Sequence, residues 1–125
     1  MKNIIHTELA PKALGPYSQG VEINGMLFVS GQVAINPETG KLVEGGIQEQ
    51  TKQVLQNIAA ILDAAGYQFS DVVKSTVLLN DMSDFAAMNE IYAQFYTENQ
   101  PARAAYSVKG LPINALVEIE TIAVK

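Results

Sequence analysis

Asn24-Gly25 stands between two short runs, QGVEI and MLFVSG, in which strand-favouring side chains dominate. Both residues of that dipeptide tolerate positive φ, the condition for a tight turn matching the twist of two antiparallel strands, so a β-hairpin is expected here. After it the hydrophobic period changes. NPETGKL supplies Pro37 and Gly40 for a turn, and from about residue 46 to 65 Ile47, Val54, Ile58, Ile61 and Ala65 recur at helical spacing, with Leu55 and Leu62 widening the stripe. Gly66 is placed to end that helix. VVKSTVLL, residues 72–79, is rich in β-branched side chains and too short for another helix, so it reads as a largely buried strand. Ser83 then reads as an N-cap with Asp84 behind it, opening a second helix whose stripe is Phe85, Met88, Ile91, Tyr92 and Phe95. Pro101 closes that segment, and two strands near 103–108 and 116–124 follow, separated by Gly110 and Pro112.

The order hairpin, helix, strand, helix, strand, strand predicts an α+β domain: a mixed β-sheet backed on one side by two helices. Its other face is left wet or packed against another protein. No linker, repeat or low-complexity segment divides the chain, so residues 1–125 read as a single domain. Hydrophobic residues make up 48% of the sequence and charged residues 17%, enough apolar material for a sizeable core. The start of the chain lacks the apolar stretch of a secretion signal, and no run of roughly 18 apolar residues occurs. A soluble, cytoplasmic protein with no membrane partner is therefore expected.

Composition also excludes chemistry. Thirteen acidic against eight basic residues, a net charge of −5, argue against a nucleic acid held by a basic field. With no cysteine there is no disulfide, thiolate nucleophile or zinc–sulfur site, and with His6 the only histidine there is no multi-histidine metal centre within one chain. Gly40-Lys41 is not part of a phosphate-cradling loop, because Ile35 and Leu42 stand where glycine and a hydroxyl would be required. No serine sits in a G-x-S-x-G elbow.

The remaining candidates concentrate late in the chain. Alternation in LVEIETIAV puts Glu118 and Glu120 on one strand face with Leu116 and Ile122, as either a solvated surface or a partly buried carboxylate pair. Arg103, among the alanines of PARAAYSV, has room beside it for a small carboxylate, or pairs with a glutamate of the chain. Tyr17 in LGPYSQG can donate a hydrogen bond, and Ser30-Gly31 lets a backbone N–H approach an anion. Asn89 lies off the main apolar positions of the second helix.

Taken together, GPYSQG, NGMLFVSGQ, VLQNIAAILDAAG, VVKSTVLLNDMSDFAAMNEIYAQFY, PARAAYSVKGLP and VEIETIAV resemble the RidA, or YjgF, family of imine and enamine deaminases over nearly the whole chain. The resemblance implies a chorismate mutase-like fold, three copies of which form a barrel-like homotrimer with sites in the clefts between subunits. It implies hydrolysis of 2-aminoacrylate or 2-iminobutanoate to a 2-oxo acid and ammonia, with no metal or organic cofactor. It places the family's carboxylate-binding arginine on Arg103, its water-positioning glutamate on Glu118 and its tyrosine on Tyr17, with Ser30, Gly31 and Asn89 lining the cleft. Ala105 replaces a cysteine found in many members, at a position expected to offer its backbone N–H. The rival expectation is a noncatalytic module that binds a small carboxylate or acts as a chaperone-like partner. The RNA cleavage attached to some members is opposed by the acidic balance.

Overall fold

In the computed structural model, which describes residues 1–125, the Asn24-Gly25 turn does what its sequence requires. Both residues have positive φ, 51° and 77°, and they join β2 (Gly20–Ile23) to β3 (Met26–Gln32) as an antiparallel hairpin. A Cβ at Gly25 would also strike the Lys125 carbonyl oxygen. A short strand, β1 (Asn3–Ile5), adds to the outer edge of β2. It is too short to signal itself in sequence. The Pro37–Gly40 turn lies between two two-residue strands, β4 (Ile35–Asn36) and β5 (Lys41–Leu42).

Helix α1 spans Ile47–Ala64 and buries Val54, Leu55, Ile58, Ile61 and Leu62 almost completely, the stripe expected from their spacing. It ends as a Schellman motif: Gly66 has φ 80°, its N–H donates to Asp63 O, and the Tyr67 N–H donates to Leu62 O. The last turn carries no basic residue. Lys125 supplies that charge from the far end of the chain, donating to Gly66 O at 2.7 Å with its ammonium 4.9 Å from the Tyr67 ring centre.

Strand β6 occupies Val72–Leu79. The second helix, α2 (Phe85–Phe95), is entered differently from the sequence expectation: a single 3₁₀ turn, Met82–Asp84, precedes it, and the capping side chain is Asp81, whose Oδ1 accepts from the Ser83 N–H at 2.8 Å. Ser83 is not the cap. A carboxylate accepts that hydrogen bond with a full charge, which a hydroxyl lacks. Strands β7 (Ala102–Ser107) and β8 (Val117–Val124) complete the chain, with a 3₁₀ turn at Pro112–Asn114 between them.

The six-stranded sheet has the order β1-β2-β3-β8-β6-β7, antiparallel throughout except for the parallel pair β6–β7 that α2 connects. Cross-strand partners share a face, so the registers sort the side chains. Leu27, Val29, Ser75, Val77, Leu79, Val117, Ile119, Thr121 and Ala123 point toward the helices and are buried. The uncovered face carries Glu118 and Glu120 together with exposed Phe28, Tyr106, Val124 and Met26, an apolar surface of the kind that marks an interaction site. No helix is long and apolar enough to cross a membrane.

Candidate active site

The first half of the site is built on an irregularity in β3. Val29 faces Thr121 and Gln32 faces Ile119, so β3 advances three residues while β8 advances two. The extra residue is a β-bulge at Ser30-Gly31, and it turns this pair toward the two glutamates of β8. Space rather than backbone conformation favours glycine at position 31: a Cβ there would overlap the Glu118 carboxylate, which would have to swing aside. Ser30 is tied down by its N–H to Gln19 O and by its hydroxyl, which donates to Ser18 O at 2.6 Å. Gln19, 2% exposed, anchors the preceding loop: its amide nitrogen donates to the carbonyls of Thr7, Ala10 and Pro11, and its oxygen accepts from the Thr7 N–H. That anchorage holds exposed Tyr17, whose hydroxyl accepts from the Leu14 N–H, over the bulge.

Tyr17, Ser30, Gly31, Glu118 and Glu120 thereby line one concavity of about 550 Å³. Glu118 is half-buried and Glu120 exposed. Burial, reinforced by the negative charge of Glu120, raises the Glu118 carboxyl above its ordinary value. No lysine or arginine lines the concavity. Gly31→Ala is expected to push the Glu118 carboxylate off the bulge while leaving the fold intact. A crystal structure of the variant showing Glu118 displaced checks this, and an unmoved carboxylate contradicts it.

The second half lies across the sheet. Arg103 pairs with buried Ser75 in the parallel β6–β7 register, so it emerges on the helix side of the edge strand. Its guanidinium carbon lies 4.9 Å from the Tyr92 ring centre and 5.5 Å from that of Phe85, and Nη1 donates to Asn89 Oδ1 at 2.8 Å. No carboxylate pairs with it. No lysine or arginine pairs with a carboxylate within the chain, the one basic–acidic side-chain contact being His6–Glu8 at 3.2 Å, so the glutamate salt bridge left open for Arg103 by the sequence is not formed within the chain. A concavity of about 370 Å³ runs from Arg103 and Asn89 past Tyr92 and Tyr96 to Gln100 and Pro101. Ala105 faces the same side as Arg103, but its side chain packs on the core and lines neither concavity.

The residues singled out in sequence thus fall into two groups within one chain: Tyr17, Ser30, Gly31 and Glu118 on one side, Arg103 and Asn89 on the other. One half is acidic without a cation, the other cationic without an anion. Sequence reading missed Gln19, which sets the loop, and the platform role of Tyr92 and Phe85, which read as core positions of α2. The only signal for them was the placement of two aromatics on the face of α2 nearest the strand that carries Arg103.

Comparison with known proteins gives a consistent picture. A family model described as endoribonuclease L-PSP matches residues 7–125. A RutC family protein of Pyrococcus horikoshii is 55% identical over 125 residues, covering 100% of this chain and 99% of that protein. The 2-iminobutanoate/2-iminopropanoate deaminase of Mus musculus is 50% identical, covering 100% of this chain and 93% of its own length. Among solved structures, that of E. coli TdcF with bound serine superposes with a TM-score of 0.94 at 43% identity over 98% of both chains.

Proposed function

Because the chain belongs to the endoribonuclease L-PSP family, also called YjgF/RidA, we propose that it hydrolyses small 2-imino and 2-enamino acids, 2-iminobutanoate and 2-aminoacrylate, to 2-oxo acids and ammonia. The observation that carries this reading is the guanidinium left without a counter-ion, held ready on an aromatic platform. Its planar fork matches a substrate carboxylate in bidentate geometry. The deaminase name of the mouse relative supports the reaction class.

Arg103 binds the carboxylate and fixes the direction of the C=N bond, with Asn89 holding one guanidinium nitrogen in place. The backbone N–H that the resemblance assigns to Ala105 would join this cradle only in the assembled cleft, since Ala105 lines neither concavity of the single chain. Glu118, raised toward neutrality by its surroundings, holds a water against the imine carbon and takes its proton as the C–O bond forms. That proton is then delivered to nitrogen, the hydroxyl gives its remaining proton back to Glu118 as the carbonyl forms and the C–N bond breaks, and ammonia leaves; an enamine such as 2-aminoacrylate enters the same path as its 2-imino tautomer. Tyr17 and Ser30 present hydroxyls to the polar groups created on that carbon. The net reaction is imine plus water to 2-oxo acid plus ammonia, with no change of oxidation state.

Arg103 and Glu118 lie on opposite faces of one sheet, so a working cleft takes one from each of two chains. The apolar uncovered face is the surface that would bring copies together as a homotrimer. Light scattering should then give a mass near three times 13.5 kDa, and a monomer at assay concentration would remove the shared cleft.

The test of function is to generate the imine with a dehydratase and follow its decay. Faster decay with the protein present is expected. Unchanged decay with tight 2-oxobutanoate binding would point instead to a noncatalytic carboxylate-binding module, and unchanged decay without binding would reject both readings.

The acid limb of kcat/KM follows from the electrostatics. Glu118 acts only when ionised, and its raised pKa moves that limb above the ordinary glutamate value. Glu120→Gln removes a neighbouring negative charge, favours ionisation and is expected to shift the limb to lower pH. A pH–rate profile that does not move on this substitution would contradict the assignment of Glu118 as the base.

A further inference from the structure

Four hydroxyl groups meet in the core where hydrocarbon would fill the space. Ser75 on β6, Thr121 on β8, Tyr92 on α2 and Tyr96 just beyond it are 0%, 2%, 6% and 3% exposed, and none of the four hydroxyls makes a well-formed hydrogen bond. They are gathered at one point. Ser75 and Thr121 are cross-strand partners, the two tyrosine rings lie 4.5 Å apart, the Ser75 hydroxyl faces both phenols and that of Thr121 faces Tyr96.

Each has an apolar counterpart of similar shape: alanine for Ser75, valine for Thr121, phenylalanine for the tyrosines. Burying a hydroxyl without a good partner is costly, while replacing a whole set of partners by apolar groups is close to neutral. Four coincident hydroxyls on three structural elements and the segment after α2 are therefore poorly explained by packing alone. What they support is visible on the outer side of Tyr92, whose ring lies beneath the Arg103 guanidinium.

Resting on the reading of Arg103 as the carboxylate clamp, we propose that this hydroxyl cluster positions the clamp: it fixes the Tyr92 ring that seats Arg103, making Ser75, Tyr96 and Thr121 positioning residues that act through Tyr92. Each hydroxyl can donate once and accept twice, so four of them buried together have only one another to turn to, and their mutual polar attraction is felt strongly in a low-dielectric interior. Hydrocarbon in the same place would hold the ring by shape alone and let it tilt. A tilt of Tyr92 moves the guanidinium relative to the neighbouring chain's Glu118, which is where substrate orientation is decided.

The test uses the intact protein carrying the double change Tyr96→Phe and Thr121→Val, and separately Tyr92→Phe. The first readout is the Arg103 Nε–Hε resonance in the free protein, which the Tyr92 ring current shifts. In both variants that shift should shrink. With 2-oxobutanoate as probe, the dissociation constant should rise about three- to tenfold, and KM should rise with it while kcat stays within about twofold, the pattern of lost binding geometry. An unchanged resonance with an unchanged dissociation constant would overturn the proposal, whatever happens to thermal stability. If the wild-type protein hydrolyses no imine, the resonance and the 2-oxobutanoate titration still decide the matter, so failure of the deaminase reading is distinguishable from failure of this one.

Discussion

Arg103→Ala is expected to lower kcat/KM for 2-iminobutanoate by about 10²–10⁴-fold, because two charge-assisted hydrogen bonds to the carboxylate, each worth roughly 1.5–3 kcal/mol, are lost together. The main change should be in KM, and 2-oxobutanoate binding should weaken in parallel. Stability should change little, since the side chain is exposed at an edge strand and pairs with no carboxylate. Arg103→Lys separates charge from geometry: it keeps the cation and loses the planar fork, so it should recover only part of the loss. Steady-state kinetics of the three proteins check this. Full activity in Arg103→Ala would remove the clamp from the mechanism.

Glu118→Gln is expected to reduce kcat by about 10²–10⁴-fold, the usual contribution of a positioned general base. Binding of 2-oxobutanoate should be largely kept, because the amide occupies the same place over Gly31. The variant should be no less stable than the parent at neutral pH. The sign follows from the raised Glu118 pKa: the neutral carboxyl is favoured in the folded chain, so the folding stability it confers is complete below the unfolded pKa and is lost as pH rises through the folded one. Glutamine stays neutral and escapes that loss. Thermal midpoints across pH should converge on the acid side and separate above it, and an equal or larger loss of kcat in Glu120→Gln would instead make Glu120 the base.

What the sequence made legible was what is encoded locally. The Asn24-Gly25 hairpin, the α1 stripe closed by Gly66 and the strand Val72–Leu79 each carry their own period and punctuation, and each is found in place. β1 was silent because Asn3–Ile5 becomes a strand only through its partner β2. The entry to α2 differs from the expectation because Asp81 and Ser83 are both good caps, and only the backbone decides that Asp81 caps the 3₁₀ turn ahead of the helix while Asp84, at the N-cap position of α2, makes no side-chain capping bond. Alternation correctly put Glu118 and Glu120 on one face. Their inequality was invisible, since it depends on a bulge that seats Gly31 against one carboxylate and not the other. For the site, the resemblance selected Arg103 and Glu118, whereas the division of that pair between two faces depends on the parallel register of β6 and β7. No local pattern records such a register.

The central claim is that Arg103 of one chain and Glu118 of another form a single hydrolytic cleft. Arg103→Ala and Glu118→Gln, each strongly impaired alone at substrate concentrations well below KM, can be co-expressed in equal amounts and assayed as mixed assemblies in the dehydratase-coupled reaction. Random mixing places both wild-type side chains in one cleft a quarter of the time, so about 25% of the parent activity is expected. Activity no greater than that of either variant alone, in assemblies shown to contain both chains, would mean that the two groups do not meet across a subunit boundary.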